Sequence, residues 1–339
     1  MRAVGWHEIT LPLPDIGEQE RLRLVQQHGN FALAYSATFQ PDMNHFGDED
    51  GFLAYKQVGS TAFVLSDPVA PRGHRENLIY RFAMVQSDAC FWQISRPVAE
   101  ILARYDFCVS EMGIETRLAL DNYSFAGPTK RNFRRASQRA ARGGIVIAER
   151  PVASLDCEEL EFISKLWRQS RTIKDREMTF LTRPAILADE IDVRKFFAFD
   201  RDGKLQAFAF FDPIYENGRV SGYLCSAKRR HPKADTLIGY MLLRTAIEIF
   251  TSEGCKVLSL GLSPLCTTKT RDVANHRLIA FGFSVVYRSR LFNKFIYPMR
   301  GLAIHKGSFC GSVEPVYCAF SRGRVLSQLL NMPKACNMT

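Results

Sequence analysis

Apolar and polar residues follow two periods along this chain, and the switches between them predict its elements. Residues 18–29 (EQERLRLVQQHG) carry the apolar spacing of a surface helix, and 74–87 and 96–105 repeat it. Short apolar runs at 51–58, 60–67, 89–95 and 107–113 read as strands, with Gly59 joining the first two and Asp67-Pro68 turning the chain. Residues 115–125 predict another extended piece. In the second half, 144–150 reads as a strand, 157–171 as a helix and 194–227 as three strands. Asp202-Gly203 and Asn217-Gly218 fall between those strands, and such dipeptides suit tight hairpin turns because the turn needs positive φ. A long helix over 235–254 stops at Gly254, a buried strand follows at 255–262, and 271–282 predicts one more helix.

Between the halves lies PTKRNFRRASQRAARGG (128–144), where Pro128 suits a helix start and Gly143-Gly144 a stop. Lys130, Arg131, Arg134, Arg135, Arg139 and Arg142 occur there with no acidic residue among them. At 100° per residue the six fall within about half of the helix circumference. A face of one charge repels itself unless an anion meets it, so these residues are candidates for binding phosphates of an RNA acceptor end or of lipid headgroups. The alternative is a solvated face, or one paired with acids elsewhere in the fold. The net charge of +10 points the same way, towards polyanions.

The 339 residues suit two domains, and 46% hydrophobic with 24% charged residues is ordinary for a globular chain, which excludes disorder and low complexity. Nine cysteines are scattered singly, without C-x-x-C or Cys/His ligand spacing, so they read as reduced thiols and argue against a metal site. No apolar run approaches the roughly 20 residues that span a bilayer, and residues 1–15 do not resemble a signal peptide. The expected location is the cytoplasm, at most peripheral to the inner membrane. No P-loop, dinucleotide fingerprint, H-E-x-x-H motif or Ser-His-Asp spacing is present.

A helix, a three-stranded meander, a helix and a strand is the order of GNAT-type acyltransferases, and the first half holds a looser version of it. The expected class is therefore α/β (α+β), with tandem GNAT-like domains. Their bounds are an N-terminal domain at 1–127, the connecting basic helix at 128–143 and a C-terminal catalytic domain at 144–339. Acetyl-CoA users cradle the pyrophosphate on backbone N–H groups of a Gly-rich loop before the long helix. Here that stretch is AKRRHPKADTLIGY (227–240): the glycines are missing, Pro232 has no N–H, and Asp235 puts negative charge where pyrophosphate would sit. No cofactor is expected. Lys228, Arg229 and Arg230 would bind a terminal phosphate or carboxylate, or form an exposed basic turn.

The stretches GFLAYKQV…VLSDPVAP, MGIETRLAL, PTKRNFRRASQRAARGG, FFAFDRDGKLQAF, SLGLSPL and YPMRGLAIHKGSF…EPVYCAF, in this order over about residues 50–320, resemble the catalytic domain of phosphatidylglycerol lysyltransferases. That resemblance implies two fused GNAT-like domains joined by a positive helix, aminoacyl-tRNA as donor and a lipid hydroxyl as acceptor; no DNA partner and no metal are expected. It marks Glu177 as the acidic position, Ser259, Gly261 and Ser263 as the segment binding substrate, Lys306 in the late Gly301-Leu302…Lys segment, and Tyr317 as the closing aromatic. Glu177 would hold the donor's ammonium or act as a base, and Lys306 would stabilise a tetrahedral oxyanion. Either residue could instead sit in a structural ion pair. Ser226, with Arg229 and Arg230 after it, stands where the family tends to have aspartate before Met-Arg-Arg, which weakens the case for lysine as donor. His231 and His305 fall near the same segments. The rival readings are an acyltransferase fed by an acyl thioester, including acidic acyl carrier protein, and a non-catalytic module binding RNA or anionic membrane.

Overall fold

The computed structural model describes residues 16–171, 176–268, 276–295 and 297–338. Helices α1 (Glu18–His28) and α2 (Ala34–Phe39) lead into β1 (Asn44–Asp48), β2 (Gly51–Val58) and β3 (Thr61–Val69). Then come α3 (Arg75–Val85), β4 (Ala89–Ile94), α4 (Arg96–Arg104) and β5 (Cys108–Ala119). The basic segment forms α5 (Arg131–Gly143), followed by β6 (Val146–Glu149), α6 (Cys157–Gln169), β7 (Arg194–Phe199), β8 (Leu205–Glu216), β9 (Arg219–Arg230), α7 (Ile238–Ser252) and β10 (Val257–Pro264). The chain ends with α8 (Arg277–Arg288), α9 (Arg290–Phe295), α10 (Met299–Gly307), β11 (Ser312–Phe320) and α11 (Val325–Ala335).

Most predicted elements appear within a few residues of their expected bounds. The separate extended piece at 115–125 is instead the second half of β5, because Gly113 and Ile114 continue the ladder with β10 and β11. The helix expected from 271 begins at Arg277, and the earlier part of that expectation, 271–275, lies outside the described residues.

All eleven described strands join one sheet in the order β1-β2-β3-β4-β11-β5-β10-β9-β8-β7-β6. The two α/β halves meet where β5 pairs antiparallel with β10. Strand β11, from the last part of the chain, lies between β4 and β5 and so completes the sheet of the first half. On that half, α3 and α4 cover one core built around Phe82, Phe91 and Val98, and α8 and α11 cover another around Phe63, Trp92 and Ile279. In the second half, alternation sends Phe196, Ala209 and Phe211 towards α7, and Phe197, Phe208 and Phe210 towards α6. These are tandem GNAT-like units fused through one sheet.

The helix α5 stands between the halves in chain order, yet it packs along α7. Phe133 packs edge-on against the stacked pair Tyr240 and Phe309, with ring centroids 5.2 and 5.0 Å away, and Ala136 and Ala140 bury the rest of that face. Gly144 ends the helix in the left-handed region at φ 66°, as the Gly-Gly stop predicts.

Residues 176–193 form no helix or strand, and buried side chains hold them across both halves. Phe180 packs edge-on against Phe63, its N–H donates to Gln40 Oε1 at 2.9 Å, and Gln93 donates to the Leu181 carbonyl at 2.9 Å.

Candidate functional site

Strands β9 and β10 pair in parallel only from Gly222–Val257 to Leu224–Ser259, and beyond that they part. The register of β10 on β5 shifts between Ser259 and Leu262, where Gly261 adopts φ +72°. That angle suits glycine, and a side chain there would also approach Lys306 Nζ. Beside this wedge, Lys306 of α10 reaches the β10 bulge, and its neighbour His305 meets Lys228 of β9.

The polar groups beside the wedge form a chain. Lys228 Nζ lies 3.0 Å from His305 Nε2, His305 Nδ1 lies 3.1 Å from Tyr240 Oη, and Tyr240 Oη lies 3.0 Å from Ser308 Oγ. Burial first, and then the charges of Lys228 and Lys306, push His305 down to about 3, so its ring is neutral at physiological pH. Lys306 Nζ donates to the Leu262 carbonyl at 2.7 Å. Burial, reinforced by Lys228, brings Lys306 down to about 7, while Cys225 and Glu115 pull the other way. An amine that loses its proton near neutrality can move protons in catalysis.

A cleft opens on the same bulge from the first half. Its volume is roughly 540 Å³ with its mouth, and Phe31–Leu33, Ser66, Asp67, Gln93–Ser95, Glu115, Gly261, Leu262 and Glu314–Val316 line it. Strands β3 and β4 also pair in parallel and then part after Leu65–Trp92, so the cleft is the first half's counterpart of the wedge. Ser66 at φ 73° and Gln93 at φ 55° hold left-handed backbone inside or beside strands here, a conformation that costs non-glycine residues about 1–3 kcal/mol and gathers at functional sites. Asp67 accepts from Ser95 N at 2.8 Å and Ser95 Oγ at 2.6 Å, and burial raises its carboxyl. Glu115 on β5 accepts from Ser259 Oγ at 2.8 Å. Burial raises its carboxyl too, against the opposing pull of Arg117, the Ser259 hydrogen bond and Lys306.

The residues marked from sequence divide between this region and others. Ser259, Gly261 and Lys306 meet at the bulge. Ser263, one turn of the strand on, is buried with no partner for its hydroxyl among the described residues. Glu177 lies on the other side of the sheet, where it pairs with Arg229 and, at 3.1 Å, with Arg168. Arg229 also donates to Ser164 and lies over Trp167, so strand alternation sends Lys228 towards α10 and Arg229 to α6. Arg230 spends its guanidinium on the carbonyls of His231, Pro232 and Ala234. Tyr317 is buried in the core under α3 and α4. Asp235 accepts from Leu237 N at 2.8 Å and from Arg139 at 3.2 Å, so its carboxylate occupies the start of α7 where a pyrophosphate would sit.

The basic stripe also divides. Lys130 is buried and donates to Tyr123 Oη at 2.7 Å and to the Phe309 carbonyl, because its position faces the core rather than solvent. Arg134 caps the Gly127 carbonyl at 2.6 Å, whereas Arg131, Arg135 and Arg142 stay exposed. Lys228, expected to bind a terminal phosphate or carboxylate or to lie in an exposed turn, instead sits inside β9 against His305; the pairing of His305 with lysine and the place of Glu115 left no mark in the sequence motifs. A carboxylate inside a strand flanked on both sides was the available signal for Glu115.

Ser226 Oγ donates to Asp212 Oδ1 at 2.7 Å, so an acidic group does lie at this point of the sheet, supplied by β8. Placing an aspartate there with Ser226→Asp would set a second, half-buried carboxylate against buried Asp212 without a further cation. The variant is expected to lose about 2 kcal/mol at neutral pH by chemical denaturation. Its deficit should shrink at about pH 5, because the pair in the folded state takes up a proton before the unfolded chain does. An equally stable variant would show that the position accepts the acid.

The family model for phosphatidylglycerol lysyltransferase, C-terminal, matches residues 22–320. A phosphatidylglycerol lysyltransferase of Staphylococcus epidermidis is 24% identical over 328 residues, covering 93% of this chain and 36% of that protein. One from Staphylococcus aureus is 22% identical, covering 92% of this chain and 37% of that one, so the chain spans about a third of these relatives' length. Among solved structures, L-PGS from Bacillus licheniformis aligns with a TM-score of 0.78 at 19% identity, covering 97% of this chain and 99% of that one. The C-terminal domain of a putative lysylphosphatidylglycerol synthetase from Agrobacterium fabrum aligns with a TM-score of 0.73 at 19% identity, covering 92% and 94%. With the family model matched from the first helix to the last strand, the chain belongs to the phosphatidylglycerol lysyltransferase C-terminal family.

Proposed function

We propose that this chain transfers an aminoacyl group from charged tRNA to a hydroxyl of a phosphatidylglycerol-like lipid. The observation that carries this reading is the meeting of wedge and cleft at Gly261, with Lys306 on one side and Glu115 on the other. The acceptor hydroxyl oxygen attacks the ester carbonyl of the donor while neutral Lys306 takes the hydroxyl proton. The tetrahedral intermediate then collapses, the ribose oxygen of the tRNA end leaves, and Lys306 returns the proton to it. An activated ester needs little more than orientation and this proton path. Glu115 and Glu314 supply negative charge for an aminoacyl ammonium, and Arg117 lies 3.3 Å from Glu314. The domain bounds at 127–128 and 143–144 belong to this proposal: each unit contributes one parted strand pair to the site.

Arg131, Arg135 and Arg142 on α5 would hold tRNA phosphates, and Asn132 Nδ2 donates to Tyr240 Oη at 3.2 Å, which ties that helix to the wedge. Replacing Arg131 and Arg135 together by Ala should reduce the salt slope of tRNA binding by about one per lost contact, with melting unchanged. An unchanged slope would leave α5 a solvated face.

The whole reading is tested by incubating the protein with mixed charged tRNAs and phosphatidylglycerol vesicles and weighing the lipids by mass spectrometry. RNase should abolish the product. A product formed from acyl carrier protein or acyl-CoA regardless of RNase would assign a thioester donor, and no product with any donor would leave a binding module.

A further inference from the structure

The helix α8 has an outward face that the rest of the described chain leaves uncovered. Ile279 and Phe283 pack inward against the core of the first half. Leu278, Phe281 and Val285, at spacings of three and four, share the opposite side of the helix. Leu278 and Phe281 are 77% and 69% exposed, and Leu291 on the adjoining α9 is 71% exposed. Single exposed apolar residues are ordinary, but a stripe of them along one helix marks an interaction surface.

The segment that carries the stripe is charged with one sign. No Asp or Glu occurs between Asp272 and Glu314, whereas Arg277, Arg288 and Arg290 are exposed beside the apolar positions. An acidic protein partner would answer the arginines but not the apolar stripe, and a nucleic acid would want a run of stacking aromatics where Phe281 stands among leucine and valine. An apolar face rimmed by cations fits a surface with an apolar interior and anionic headgroups.

We propose that α8 and α9 dock on an anionic lipid bilayer, with Leu278, Phe281, Val285 and Leu291 entering the headgroup boundary and the arginines meeting lipid phosphates. This deepens the lipid-acceptor reading and rests on it for its purpose. Arg300 donates to the carbonyls of Tyr287 and Arg288 at 3.0 and 2.8 Å, which joins α8 to the helix that carries Lys306. The inner side of α8 packs in the same core as Leu262, which lines the cleft.

Flotation with vesicles separates the two ideas, since phosphatidylserine is anionic without being a glycerol-headgroup acceptor. The protein should bind phosphatidylcholine vesicles containing phosphatidylserine at least tenfold better than phosphatidylcholine alone. The variant Leu278→Glu/Phe281→Glu should lose that binding tenfold or more, and Arg288→Ala/Arg290→Ala should lose it in a salt-dependent way. Both variants should still act on acceptor dispersed in detergent and should melt like the parent. Equal binding to neutral and anionic vesicles, or unchanged binding by the Leu278/Phe281 variant, overturns the proposal. So does a dimer that Leu278→Glu dissolves, because the face then belongs to a second copy. Vesicle binding without transfer would sink the acceptor reading and leave the docking face standing.

Discussion

Lys306→Met and Lys306→Arg should be equally inactive in aminoacyl transfer, each down by roughly 10²–10⁴-fold in kcat/KM. The amino group lies 2.7 Å from a carbonyl and is brought down to about 7 by burial and by Lys228. If its neutral form takes the acceptor proton, the parent's activity rises through about pH 7 and then levels. Arginine keeps the charge but cannot release its proton near neutrality, so it cannot rescue. An arginine variant that retained activity with a flat profile would make the residue a fixed charge for the oxyanion. Stability should move in the opposite direction. A lysine held well below its ordinary 10.5 penalises the folded state fully below about pH 7, and the penalty fades as the pH rises towards 10.5. Lys306→Met removes it and should stabilise the protein at neutral pH by a few kcal/mol, at about 1.4 kcal/mol per tenfold change in proton affinity. A variant that is inactive and also less stable would point to a structural role instead.

How far the sequence discloses such a site depends on what kind of signal each residue leaves. Local periodicity disclosed the strands and helices, and the two hairpins landed at their Asp-Gly and Asn-Gly pairs, with Asn217 at φ 53° and Gly218 and Gly203 at φ 77°. The site itself is made by contacts between distant parts of the chain, which periodicity does not encode. Strand β11 joins β5 across some two hundred residues, and its place between β4 and β5 is set by partners rather than by its own pattern. The family resemblance marked Lys306, but its low proton affinity comes first from burial that only the fold creates, and then from Lys228, 78 residues earlier. The same resemblance marked Glu177 and Arg229, and the structure joins those two to each other behind the sheet. A run of arginines reads as one stripe, yet Lys130 at its start turned inward and Arg139 found Asp235, just ahead of α7.

Asp212→Ala is expected to be among the most destabilising single changes in this chain. Asp212 is fully buried, and it accepts from Ser36 Oγ at 2.5 Å, Ser226 Oγ at 2.7 Å and Arg183 Nη1 at 2.9 Å. Arg183 also pairs with Glu190, which accepts from Lys195 Nζ at 3.0 Å, so two acids and two bases balance inside the fold. Lys195 donates in addition to the carbonyls of Ile186 and Ala188, which pins the irregular segment to β7. Deleting the Asp212 carboxylate leaves one surplus buried cation, and breaking such a pair costs about 3–5 kcal/mol. Arg183→Met should cost a similar amount for the opposite reason, a surplus buried acid. The double variant Asp212→Ala/Arg183→Met removes both charges at once, and removing a whole pair costs far less than leaving one charge unpaired. Its cost by urea denaturation should therefore fall well below the sum of the single substitutions, a coupling that charges held independently would not show. Additive losses would mean that Asp212 and Arg183 are each stabilised by other neighbours, and that the network does not hold residues 176–193 against the sheet.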